Sequence, residues 1–141
     1  MALSAPLIVD KSAWVRAADP AYAAGWEALS ESDRLRMCDV TVLEVLVSAR
    51  SASDARELER GLDAFPRARM DATTFSAARS ALRGLAAIGA HRLPIPDVLI
   101  AACAQQHSLG VLHLDRHFDV LAELLGFPAV SLRELGDLLR G

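Results

Sequence analysis

With 141 residues, 52% of them apolar, the chain is long enough for one domain with a real core and too short for two. No stretch nears the roughly 20 apolar residues of a membrane span. Residues 1–10 are short and lack the basic start of a secretion signal, so a cytoplasmic protein with no membrane partner is expected. Cys38 and Cys103 show no Cys-x-x-Cys or Cys/His spacing, which leaves a disulfide framework and a zinc site unsupported and points to two buried thiols. The formal charge of -3, with no basic tail or stripe, argues against tight non-specific binding to nucleic acid.

The first apolar run predicts a strand over 7–10, followed by helices near 12–18 and 22–30. A second strand at 35–38 leads into helices near 42–49 and 54–64, and a third at 67–70 into helices near 74–88 and 96–107. Strands at 111–114 and 129–131 frame a helix at 117–125, and a last helix covers 132–139. The strand signals are short and continuously apolar, which suits strands covered on both faces, and their alternation with helices reads as α/β with a parallel sheet. Asp19-Pro20, Phe65-Pro66, the 89–96 stretch, Ser108-Leu-Gly110 and Gly126-Phe-Pro128 punctuate these elements. Ligands of such sheets collect outside the carboxyl ends of the strands, where Asp10 and Asp115 fall.

Asp10, Glu44, Asp97 and Asp115 all stand among hydrophobic residues at strand ends or helix starts. An unpaired buried carboxylate is too costly to keep, so each is either hydrogen-bonded locally or part of a cluster around a cation. Both readings are open for every one of them. Asp10 can cap the helix beginning near Ser12. Thr41-x-x-Glu44 has the spacing of a capping box. Asp97, after Pro96, makes a good helix start, and Asp115 can share a helix face with Asp119 if that helix starts early. Ser12 either orients a carboxylate or opens a helix. His113 reads as a core or edge residue, and Trp14 and Trp26 as packing of a helical hairpin rather than a base-stacking platform. Taken together, four such acids favour a metal. Setting them aside leaves 15 basic against 14 acidic side chains, a net charge of +1, so overall acidity does not exclude a phosphate substrate.

In chain order, Leu7-Ile-Val-Asp10-Lys-Ser12, Thr41-x-x-Glu44, Ile95-Pro-Asp97-x-Leu-Ile-Ala-Ala and Leu112-His-Leu-Asp115-Arg-His-Phe-Asp119 resemble the PIN domain, specifically the VapC-type toxins of bacterial toxin–antitoxin pairs. The resemblance covers essentially all of 1–141. It implies a single-domain, three-layer α/β/α fold with a central parallel sheet, and a Mg²⁺- or Mn²⁺-dependent endoribonuclease. It further implies a homodimer and inhibition by a VapB-like antitoxin. Asp10, Glu44, Asp97 and Asp115 are then the catalytic, metal-binding acids, with Ser12 as a supporting polar group. Clustered acids of this kind hold one or two hard cations for an in-line displacement at phosphorus. One position departs from the pattern. Many relatives carry a second Asp two residues after the fourth acid, where this chain has His117, and Asp119 stands one step further on. An imidazole there removes a hard oxygen and offers a nitrogen better suited to Mn²⁺ than to Mg²⁺. Two other readings fit the same residues: an inactive PIN-fold module that binds RNA or antitoxin, and a metal-dependent phosphatase.

Overall fold

Four short strands lie side by side in a computed structural model that describes residues 5–135. They are β1 (Leu7–Val9), β2 (Leu35–Arg36), β3 (Gly110–His113) and β4 (Ala129–Ser131), in the order β2-β1-β3-β4, with every pairing parallel. Ile8 stands opposite Val111, and Val111 opposite Ala129. Side chains alternate across a strand, so this register sends Ile8 and Val111 to one face and Leu7, Val9 and Leu112 to the other.

Each face is covered. Leu7, Val9 and Leu112 pack with residues of α1 (Lys11–Trp14), α2 (Ala23–Glu31), α3 (Asp39–Leu46) and α4 (Ala52–Asp63), among them Ala13, Leu29, Val42 and Leu62. Ile8 and Val111 pack with α5 (Ala72–Ala87), α6 (Ile95–His107) and α7 (His117–Leu125) through Leu85, Ile100 and Phe118. The result is the expected three-layer α/β/α arrangement, and burial on both faces explains why the central β1 reads as an unbroken apolar run. Gly110 sets the spacing where β3 enters. A Cβ there would stand 2.6 Å from a Leu7 methyl and 2.7 Å from the Pro128 carbonyl oxygen, so only glycine lets the three chains close up. Among the described residues no helix is long and apolar enough to cross a membrane. Both cysteines are buried and free, and burial pushes the Cys103 thiol up to about 12.

Two expectations fail. The stretch 67–70 is no strand: it makes a single parallel bridge, Met37 to Arg67, because its carbonyls turn away to α6. The Cys103 thiol donates to the oxygens of Ala68 and Arg69, and His107 Nε2 lies 2.6 Å from that of Arg69. Thr41 and Glu44 form no capping box, because α3 starts earlier, with Cys38 as its N-cap and no side-chain cap bond. The box stands instead at the head of α5, between Asp71 and Thr74. Residues 132–135 begin a helical turn as expected, and the remainder of the 132–139 helix lies outside the described residues.

Candidate metal centre

β1 and β3 are the two central strands, and both release their chains toward the same end of the sheet. Asp10 follows β1 directly. Its amide donates to the Leu112 oxygen at 3.0 Å, and its Oδ2 accepts from the Ser12 amide at 3.0 Å and the Ser12 hydroxyl at 2.5 Å. Asp10 is therefore the N-cap of α1, as one of its two sequence readings held, and both cap bonds fall on a single carboxylate oxygen. Ser12 Oγ also accepts the Leu114 amide at 2.9 Å. One hydroxyl thus ties the carboxylate after β1 to the backbone that carries Asp115 after β3.

α3 and α6 bring in the other two acids. The Thr41 hydroxyl donates to the Val9 oxygen at 2.8 Å, which docks α3 against the end of β1. Glu44 lies one turn along, with a buried Oε1 that has no hydrogen-bond partner. Asp97 sits in the first turn of α6, just after Pro96, and is only 6% exposed. His117 opens α7, and its Nδ1 stands 2.9 Å from Asp97 Oδ2 and 3.2 Å from Asp115 Oδ1. The Asp115 oxygen also accepts the His117 amide at 3.0 Å. Asp97, Asp115 and His117 offer ligand atoms that all lie within 4.8 Å of one another.

The electrostatics show what this grouping costs. Burial pushes the Glu44 carboxyl above its usual range, with the charges of Asp10, Asp97 and Asp115 adding to the rise and Lys11 opposing it. Asp97 is raised too, first by burial, against the lowering effect of the His117 hydrogen bond, and then by the charges of Asp10 and Asp115. The four acids therefore feel one another's charge across the site. An orphaned buried oxygen on Glu44, two carboxylates and an imidazole in mutual reach make a donor set that fits a hard or borderline divalent cation.

Asp119 is not brought in. α7 starts at His117, so Asp115 precedes the helix, and two residues of helix rotate Asp119 about 200° from His117. Its side chain is 69% exposed, and its Oδ1 lies 3.9 Å from His113 Nε2. Trp14 and Trp26 pack edge-on with each other at 5.7 Å and with Phe65 at 5.9 and 6.1 Å, in keeping with a structural role. Sequence reasoning undervalued Ser12, whose reach to Leu114 spans the chain and leaves no local signal.

The pattern of the PIN domain matches residues 7–124. Ribonuclease VapC18 of Mycobacterium tuberculosis is 39% identical over 133 residues, which cover 92% of this chain and 97% of the relative. Ribonuclease VapC51 of the same organism is 36% identical over 131 residues, covering 93% and 96%. Among solved structures, the DNA-bound VapBC from Salmonella typhimurium superposes with a TM-score of 0.75 at 16% identity, over 91% of this chain and 98% of that one. VapBC-5 from Mycobacterium tuberculosis gives 0.65 at 20% identity, over 90% and 98%. These two likenesses bear on the fold. With the family pattern running from β1 into α7 and relatives aligned over nine-tenths of its length, the chain belongs to the PIN-domain family, in its VapC branch.

Proposed function

We propose that this protein is a metal-dependent endoribonuclease toxin that hydrolyses RNA phosphodiester bonds and is restrained by a VapB-like antitoxin. The observation that supports the reading is the grouping of Asp97, Asp115 and His117 within 4.8 Å, with Asp10 near enough for its charge to act on Asp97 and Glu44, and the Glu44 oxygen buried and unpartnered. Relatives aligned over most of the chain are named ribonucleases, and similarly folded proteins are VapBC toxin–antitoxin systems.

Asp10, Glu44, Asp97 and Asp115 would hold Mg²⁺ or Mn²⁺, with His117 beside Asp97 and Asp115. Bound there, the metal supplies an activated water and charge neutralisation at the phosphate. Ser12 keeps the Asp10 carboxylate turned toward the site, and the Thr41 hydroxyl keeps α3, and so Glu44, at the end of β1. Lys11 and Arg116, next in sequence to Asp10 and Asp115, supply positive charge for the RNA backbone.

The VapBC likeness supports a VapB-type partner, and the family resemblance supports a homodimer. The apolar groove between α5 and α6, lined by Phe75, Leu82, Ile95 and Leu99, is surface that a second copy would cover. The decisive experiment compares hydrolysis of a structured RNA and of a generic phosphate monoester by purified, antitoxin-free protein in Mg²⁺, in Mn²⁺ and in chelator. The proposal expects metal-dependent RNA cleavage leaving 5′-phosphate and 3′-hydroxyl ends. Turnover of the monoester alone favours a phosphatase, and binding without cleavage favours an inactive module.

A further inference from the structure

His113 closes β3, only 3% exposed, with its ring tilted against Phe118 at a centroid distance of 5.3 Å. Its Nδ1 accepts the backbone N–H of Asp115 at 3.1 Å. A nitrogen that accepts carries no proton, so the neutral ring is the Nε2–H tautomer. Nε2 is itself buried and has no hydrogen-bond partner, with Asp119 Oδ1 at 3.9 Å.

An orphaned buried donor carries a desolvation penalty that a leucine of similar bulk would not. Packing therefore does not account for an imidazole at this place. What it does that an apolar side chain cannot is grip the Asp115 amide two residues on. Asp115 Oδ1 then accepts the His117 amide, so a relay of local bonds runs from His113 through Asp115 to His117. Both of its downstream members face Asp97.

Resting on the metal-dependent reading above, we infer that His113 is a positioning residue of the metal site. By holding the Asp115 amide through Nδ1, it sets the direction in which the Asp115 carboxylate and the His117 ring leave the backbone. Its Nε2 faces the flank where Asp119 stands, with Oδ1 at 3.9 Å and so beyond hydrogen-bond reach.

The two nitrogens can be replaced separately. Asn places an amide oxygen near the position of Nδ1 and preserves the acceptor, whereas Gln reaches the position of Nε2 and abolishes it. Mn²⁺ affinity of the full chain, read from the electron paramagnetic resonance of the free ion, should stay within about threefold of wild type in His113→Asn and weaken by about ten- to a hundredfold in His113→Gln. Both variants put an amide into an apolar setting and both should lower the melting temperature, so affinity rather than stability separates positioning from packing. Equal affinities in the two variants, whether both weakened or both intact, would overturn the inference while leaving the metal site standing. Wild-type protein that binds no Mn²⁺ at millimolar concentration would overturn the metal reading itself, and the inference with it. Should His113→Asn not fold, the ¹⁵N spectrum of the wild-type imidazole still decides: a proton on Nε2 supports the relay, and a proton on Nδ1 refutes it.

Discussion

Ser12→Ala removes a single oxygen that serves two hydrogen bonds, and both losses can be sized. The bond from the Leu114 amide at 2.9 Å is neutral and is worth about 1 kcal/mol, and the one to the Asp10 carboxylate at 2.5 Å is charge-assisted and worth about 1.5–3 kcal/mol. Alanine returns roughly 0.5 kcal/mol through its better helix propensity in α1. The net destabilisation is about 2–3.5 kcal/mol. For a domain of 141 residues the entropy of unfolding is roughly 0.3 kcal/mol per degree, so the melting temperature should fall by about 7–12 °C. The same change frees the Asp10 carboxylate and loosens the backbone leading to Asp115, so Mn²⁺ affinity should fall by about tenfold or more. Thermal unfolding followed by circular dichroism, together with Mn²⁺ titration, measures both effects, and Ser12→Thr, which keeps the hydroxyl, should recover much of each. A Ser12→Ala protein that melts within a degree of wild type and binds Mn²⁺ as tightly would refute the bridge between the two strand ends.

Asp97→Asn should abolish Mg²⁺-supported RNA cleavage while raising the stability of the metal-free protein at pH 7. Because burial holds the folded-state carboxyl above its ordinary 3.8, the wild-type penalty is absent below that value and appears as pH rises through the raised one. The melting difference between the two proteins should accordingly vanish near pH 3.8 and below, and a constant difference across the range would count against it. Wild-type protein should cleave RNA faster in Mn²⁺ than in Mg²⁺, and His117→Asp should raise the Mg²⁺ rate; identical turnover in both ions, unchanged by the substitution, would remove His117 from the site. An inhibitory antitoxin should reach the acids with an Arg or Lys, so Asp10→Asn with Glu44→Gln should weaken its binding at least tenfold, and an indifferent affinity in calorimetry would contradict that mode. Light scattering at micromolar concentration should show a dimer, and a monomer alone would sink the homodimer.

The fold was largely legible because its strands are buried on both faces, and unbroken apolar runs as short as Leu7–Val9 and residues 110–112 suit little besides a strand covered on both sides. Asp10, Asp97 and Asp115 were equally accessible, since a strand end and a proline-led helix start are local signals. For Glu44 the local signal pointed the other way, to a helix cap, and only the company of the other acids and the family likeness put it in the site. The spacing Thr41-x-x-Glu44 mimics a capping box, but the Thr41 hydroxyl goes to Val9, a partner that only the folded chain supplies. The 67–70 stretch misled in the same way, because a strand is defined by where its carbonyls go, and these go to Cys103 and His107. The grip of His113 on Asp115 joins neighbours in sequence, yet it depends on a ring orientation that composition does not encode.

The chain's 2 tryptophans both belong to the aromatic cluster beneath α1 and α2, and Trp14 lies in the very helix that Asp10 caps. Its intrinsic fluorescence is thus a built-in optical probe confined to one layer. Emission should respond when a ligand at the sheet end disturbs α1, while events restricted to α5–α7 pass unseen, so a titration read by tryptophan light tells from which side an occupant arrives.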